Sequence, residues 1–126
     1  EKKNNSDFKE KINEVGYIES ADLPIILKHA DVLLFPSLYE GFGIPALEAM
    51  ASGVSVVSTR GTSVEEIGKD ALWYADGTDA QSIANTLEDV LTNTEEREKK
   101  QKLGLAYAKE FSWEKMAKET LSILLG

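Results

Sequence analysis

Glu40 and Glu48 are two carboxylates that frame one short stretch, Gly41-Phe42-Gly43-Ile44-Pro45-Ala46-Leu47. A carboxylate takes O–H donors on both of its oxygens, so each suits the vicinal hydroxyls of a sugar or a ribose. Between them, Gly41 and Gly43 let the backbone turn tightly and leave no side chain between it and a ligand. Pro45 suits the first turn of a helix, where its missing N–H is no loss. Gly53 stands where a left-handed C-cap is expected. The stretch therefore predicts a helix whose N-terminus, with free N–H groups and a positive dipole end, points past the preceding strand. That end suits an anion such as phosphate. Sugar hydroxyls beside a phosphate describe a nucleotide sugar.

The elements that must hold this stretch follow from the pattern around it. Val32-Leu33-Leu34-Phe35 is an apolar run of strand length ended by Pro36-Ser37, and its unbroken character predicts burial on both faces. Val54-Ser55-Val56-Val57-Ser58, rich in β-branched residues, is the next strand, and Thr59-Arg60-Gly61-Thr62 a turn at the same rim as Glu40. Ser63-Val64-Glu65-Glu66 reads as a capping box that starts a helix and accounts for Glu66. Leu72-Trp73-Tyr74 is a further strand, followed by a turn at Asp76-Gly77.

Upstream, residues 1–11 are polar and charged, expected to fray or to be the remnant of a helix. Ile12 to Ile18 can form a strand interrupted by Gly16, and Ser20 to Ala30 a short helix. Downstream, Asp79 caps an amphipathic helix with Ile83, Ala84, Leu87, Val90 and Leu91 expected on one face. A charged helix follows from Glu95 to about Glu110, with Leu103, Ala106 and Tyr107 expected to face inward. Ser112 caps the last helix, whose stripe comprises Trp113, Met116, Ala117, Thr120, Leu121 and Leu124. Strands alternating with helices imply parallel pairing and right-handed crossovers. The expected fold is α/β, a partial Rossmann-like domain spanning residues 1–126. It has a parallel sheet of about four strands, flanking helices and a C-terminal helical tail. Ligands of such sheets bind beyond the carboxyl ends of the strands.

The motif Pro36-Ser37 … Glu40-Gly41-Phe42-Gly43 … Pro45 … Leu47-Glu48-Ala49-Met50-Ala51 … Gly53 resembles the group 1 retaining glycosyltransferases of GT-B fold. Their signature is a pair of glutamates separated by seven residues, the separation of Glu40 and Glu48. One position departs: the family usually has proline where this chain has Ser55. The resemblance implies a C-terminal, donor-binding GT-B domain and places Glu40 at the reacting sugar, as the catalytic residue. There it would orient hydroxyls or stabilise positive charge developing at the anomeric carbon. By the same resemblance Glu48 takes the ribose hydroxyls. Gly41, Phe42, Gly43 and Ile44 present backbone to the donor, a nucleotide diphosphate sugar. No metal or other cofactor is required. A glutamate often stands in the family at the position of Glu66.

Plainer readings stand beside these. Glu40 could be a solvated loop carboxylate, Glu48 a helix-surface glutamate, the glycines a tight turn, and Phe42 a core side chain. His29 falls near a helix C-terminus, where the dipole favours it. Trp73 and Trp113 are expected as core anchors. A non-catalytic Rossmann-like interaction module is the alternative function, and a GT-B epimerase fits the paired glutamates less well.

Composition narrows the partners. With a net charge of −8, binding to nucleic acid through its phosphates is disfavoured. Residues 1–84 hold 7 Lys/Arg against 14 Asp/Glu, and between Ala30 and Gly68 the only cation is Arg60. One arginine is too little to neutralise a diphosphate. In the family an arginine and a lysine from earlier strand–helix units hold it, and an N-terminal domain holds the acceptor. The chain therefore reads as truncated on its N-terminal side and inactive alone, with its sheet edge and tail helix exposed and prone to self-association. No apolar run is long enough to span a membrane. Zero cysteines exclude disulfides and thiolate chemistry. A cytoplasmic location is expected, peripheral to a membrane in the full-length protein at most.

Overall fold

Three short parallel strands carry the fold in a computed structural model that describes residues 11–126. They are β1 (Val32–Phe35), β2 (Ser55–Ser58) and β3 (Trp73–Tyr74), in the spatial order β1-β2-β3. Val32 pairs with Ser55 and Phe35 with Ser58 on one side of β2, and Val57 pairs with Trp73 on the other. The helices are α1 (Leu23–Lys28), α2 (Ile44–Ala51), α3 (Ser63–Gly68), α4 (Ala80–Thr92), α5 (Thr94–Ala108) and α6 (Trp113–Leu125). A 3-10 turn, Lys69–Ala71, leads into β3.

The central strand sorts the core. Every residue of β2 is buried, and the two-residue period of a strand sends Val56 and Val57 to opposite faces. Val56 packs with Leu27, Ala49, Met50, Val64 and Leu72, the side of α1, α2 and α3. Val57 packs with Ala75 and Val90, flanked by Trp73, Ile83 and Leu87, the side of α4. Ser55, where the family usually has proline, is buried in β2.

Four expectations are corrected. Residues 12–18 form no strand: Gly16 sits at φ +65° and Val15 and Tyr17 are exposed. A strand exists through its ladder, and here none forms, so the sheet has three strands rather than about four among the described residues. β1 is an edge strand rather than one buried on both faces, with Leu34 42 % exposed, because α4 packs against β2 and β3. The helix faces differ from the expected stripes: on α4 Ala84 and Leu91 are exposed, and on α5 it is Gly104, lying against Met50, that is buried, while Ala106 is exposed. Trp113 is no core anchor: it is 78 % exposed, and α6 has no buried residue.

The local signals around α2 act as the sequence predicts. Pro45 lies in its first turn. At its end Gly53, at φ +76°, donates to Met50 O at 3.0 Å and Val54 donates to Ala49 O at 2.9 Å. That pair of bonds closes a Schellman motif around the left-handed glycine. Asp79 and Ser112 cap α4 and α6 through their side chains, as expected.

Candidate functional site

The loop after β1 delivers the glycine turn to the carboxyl end of the sheet. Gly43 is the N-cap of α2 at φ +96°, ψ +41°, a conformation that L side chains rarely adopt. A Cβ there would also come within 2.4 Å of Val64 Cγ2, so both backbone and packing demand glycine. Gly41 is different. It does not have a positive φ, and a Cβ on it would meet nothing within 4 Å. The fold itself leaves its glycine unexplained.

On α2, Ala46, Ala49 and Met50 face the core, which turns Ile44, Leu47 and Glu48 toward a cleft of about 450 Å³. Its other walls are Phe42 and the junction of α5 with α6 at Phe111 and Trp113. Phe42 is not a core side chain. It stands edge-on to Phe111, with ring centroids 5.9 Å apart at 80°. Three expected site residues, Phe42, Ile44 and Glu48, thus share one cleft, while Glu40, Gly41 and Gly43 are not among its lining. Glu40 follows directly on the exposed Tyr39, and its backbone carbonyl accepts from Ser63 Oγ at 2.9 Å.

The carboxylates of Glu40 and Glu48 are both half-buried, and neither has a hydrogen-bond or ion-pair partner among the described residues. Removing a carboxylate from part of its water without giving it a protein donor leaves acceptor capacity for something else. Lys115, also at this cleft, is engaged: its Nζ donates to Glu110 O at 3.3 Å and lies 4.0 Å from Glu119.

A second cleft, of about 430 Å³, lies beyond the ends of β2 and β3, walled by Leu38, Thr59, Arg60, Tyr74, Asp76 and Gly77. Its charges are bound within the protein. Arg60 lies 2.6 Å from Glu65 Oε1 and stacks 4.1 Å above the Tyr74 ring. Glu65 Oε2 accepts from Gly61 N–H at 2.8 Å. That N–H bond first, then Arg60, holds the Glu65 carboxyl below its usual value. Burial, with the negative charge of Glu65 behind it, pushes the Tyr74 phenol up to about 12. Asp76 accepts from the hydroxyl and N–H of Thr78, which lower its pKa in that order.

The capping box expected at Ser63 and Glu66 does not form, and no side chain caps the first turn of α3. Thr62 is the N-cap, and Glu65, not Glu66, is the glutamate that turns back to a backbone N–H. Glu66 is exposed and free of the capping role that the sequence suggested for it. His29 is the C-cap of α1, its Nδ1 2.8 Å from Ile25 O. Among the described residues no group of three or more His, Cys, Asp or Glu is placed to hold a metal ion. No helix among them is long and apolar enough to cross a membrane. Sequence reasoning missed Ser63 as a partner of Glu40, because donor and acceptor lie on different elements 23 residues apart.

Comparison with known proteins bears on this geometry. A family model described as "Glycosyl transferases group 1" matches residues 2–107. The chain is 40% identical over 111 residues to the O-antigen chain mannosyltransferase B of Escherichia coli, covering 88% of this chain and 29% of that protein. It is 35% identical over 105 residues to the D-inositol 3-phosphate glycosyltransferase of Corynebacterium urealyticum, covering 81% of this chain and 24% of that one. Among solved structures, the sucrose-phosphate synthase of Thermosynechococcus elongatus superposes with a TM-score of 0.85 at 26% identity, over 94% of this chain and 30% of its own. The chain spans less than a third of each of these proteins.

Proposed function

Because the chain belongs to the group 1 glycosyl transferases, with a GT-B fold, we propose that it is the donor-binding part of a retaining enzyme. That enzyme moves a sugar from a nucleotide diphosphate sugar to a hydroxyl acceptor. The observation that carries the reading is the pair of half-buried carboxylates, Glu40 and Glu48, left without protein partners on either side of the glycine turn. Glu48, in the cleft with Phe42 and Ile44, accepts the ribose hydroxyls. Gly41, with open space where a side chain would stand, lets the donor approach the backbone, and Gly43 starts the helix whose first N–H groups face the phosphates.

Glu40 stands at the reacting sugar. Its negative charge is worth most as positive charge grows on the anomeric carbon, in a site from which water is excluded. Arg60 is committed to Glu65 and Tyr74, and Lys115 to Glu110 and Glu119. The cations for the diphosphate therefore come from outside the described residues, as do the acceptor site and the domain that closes over it. Transfer needs both substrates held in register, so the chain by itself is expected to be inactive. The chemistry uses no metal or other cofactor, and a cytoplasmic setting belongs to the same proposal.

Titrating the chain with uridine and guanosine diphosphate sugars, followed by backbone NMR, tests donor binding directly. Shifts confined to residues 40–48 are expected. Shifts elsewhere with these residues silent would place the donor in another part of the molecule. Transfer catalysed by the chain without further protein would contradict its proposed division of labour.

A further inference from the structure

Three hydroxyls leave β2 and the segment after it and reach across to the last residue of β1 and the loop between β1 and α2. Ser58 Oγ donates to Phe35 O at 3.0 Å, Thr59 Oγ1 to Ser37 O, and Ser63 Oγ to Glu40 O at 2.9 Å. Successive donors at 58, 59 and 63 thus meet successive acceptors at 35, 37 and 40. The receiving loop has no helix or strand of its own between Pro36 and Gly43, so these side chains replace the ladder that regular structure would supply. The last rung is reinforced from below. Val64, fully buried, closes on Gly43 so tightly that a Cβ there would come within 2.4 Å of it. The first turn of α3 therefore grips the Glu40–Gly43 turn at both ends, by a hydrogen bond at Glu40 and by packing at Gly43.

We propose that Ser63 is a positioning residue for glycosyl transfer, fixing the Glu40 backbone so that its carboxylate meets the donor sugar in one place. The inference rests on the reading of Glu40 as the residue at the reacting centre. Ser63 itself touches neither substrate nor reacting atoms in this scheme. A hydroxyl donor and a peptide carbonyl do not titrate in the range where carboxylates do, so the tether is pH-independent. Loss of the rung should lower turnover without altering the shape of the pH profile.

The test uses the intact transferase. Ser63→Ala is expected to lower kcat about tenfold while moving the donor KM by less than about twofold, because a catalytic group is displaced and the donor is still bound. Ser63→Thr keeps the hydroxyl and should restore most of the lost turnover. Ser63→Cys, near-isosteric and a poor donor, should fall between the two, and it keeps the test available if alanine unfolds the protein. Hydrogen exchange at the Gly41 and Phe42 amides should accelerate in the alanine and cysteine variants and not in the threonine one.

Unchanged exchange in Ser63→Ala would overturn the tether. Faster exchange with unchanged kcat, in an enzyme that Glu40→Ala abolishes, would overturn the positioning role and leave the reading of Glu40 standing. Full transfer by Glu40→Ala would remove that reading and the inference built on it.

Discussion

The cleft walled by Arg60 and Tyr74 and the cleft walled by Glu48 and Phe42 differ in what their charged groups are bound to. At the first, Arg60 pairs with Glu65 and stacks on Tyr74, and Asp76 is closed by Thr78. Each charge has been answered by the chain itself. At the second, Lys115 is answered but Glu48 is not, and Glu40 at the head of the glycine turn is likewise left open. A carboxylate that the protein does not answer keeps its acceptor capacity for a ligand, which is what the proposed donor site requires. The same contrast runs through the glycines. Gly43 is required by the fold, whereas Gly41 is required by nothing within the described residues.

The carboxylates offer the largest test of this contrast. Glu40→Ala in the intact enzyme should lower kcat by about a hundredfold or more, the scale of a lost group acting on transition-state charge. Arg60→Ala should change it by less than about threefold, since an exposed, internally paired arginine contributes little. Steady-state kinetics on both variants decides the matter. Equal losses would mean that the self-satisfied cleft also does chemistry.

The glycines give the next effect. Gly43→Ala meets both a positive φ and Val64, and should destabilise the fold by about 2–4 kcal/mol in denaturant unfolding. Gly41→Ala should leave stability within about 1 kcal/mol of the parent, and could raise it by restricting the unfolded chain. Its penalty should appear instead in a weaker affinity for the nucleotide sugar. A stable Gly43→Ala protein would show that α3 is not pressed against the turn as described.

Glu48→Ala should be a smaller and cleaner separation of the two kinds of residue. With no protein partner to orphan, its loss should shift unfolding by no more than about 0.5 kcal/mol. Donor affinity should fall about tenfold, the loss expected for hydrogen bonds between ribose hydroxyls and a charged acceptor. Calorimetric titration beside denaturant unfolding checks both halves.

Much of this arrangement was legible because its determinants are local. Pro45 and Gly53 mark the start and stop of α2 through backbone geometry alone, and the seven-residue gap between Glu40 and Glu48 survives any packing. Asp79 and Ser112 cap their helices for the same reason. What stayed hidden depends on partners. Residues 12–18 have strand-like composition, but composition cannot supply a neighbouring strand. Trp113 and Leu34 have the character of core residues and lie where nothing in the described chain covers them. At α3 the segment Ser63-Val64-Glu65-Glu66 has the composition of a capping box, yet no side chain caps the helix. Ser63 is drawn to Glu40 instead, and Glu65 to Gly61 and Arg60. The Ser63 tie crosses 23 residues to another element, beyond any local pattern.

The ties of Glu65, which Glu66 lacks, lead to the smallest expected effect, one that separates the clefts by pH. In the folded protein the Glu65 carboxyl lies below its ordinary value of 4.5, held there first by the Gly61 N–H and then by Arg60. A depressed carboxyl contributes stability that is fully present above its unfolded pKa and is lost as pH falls through the folded value. The Arg60–Tyr74 cleft should therefore loosen on acidification below 4.5, as protonated Glu65 releases the guanidinium. Glu65→Gln should remove part of this acid sensitivity, and Glu66→Gln should not, because Glu66 has no such ties. Unfolding midpoints of both variants and the parent, followed down in pH, measure the difference. Equal behaviour of the two variants would mean that Glu65 does not hold Arg60 as described, and that Arg60 stands free to meet a phosphate.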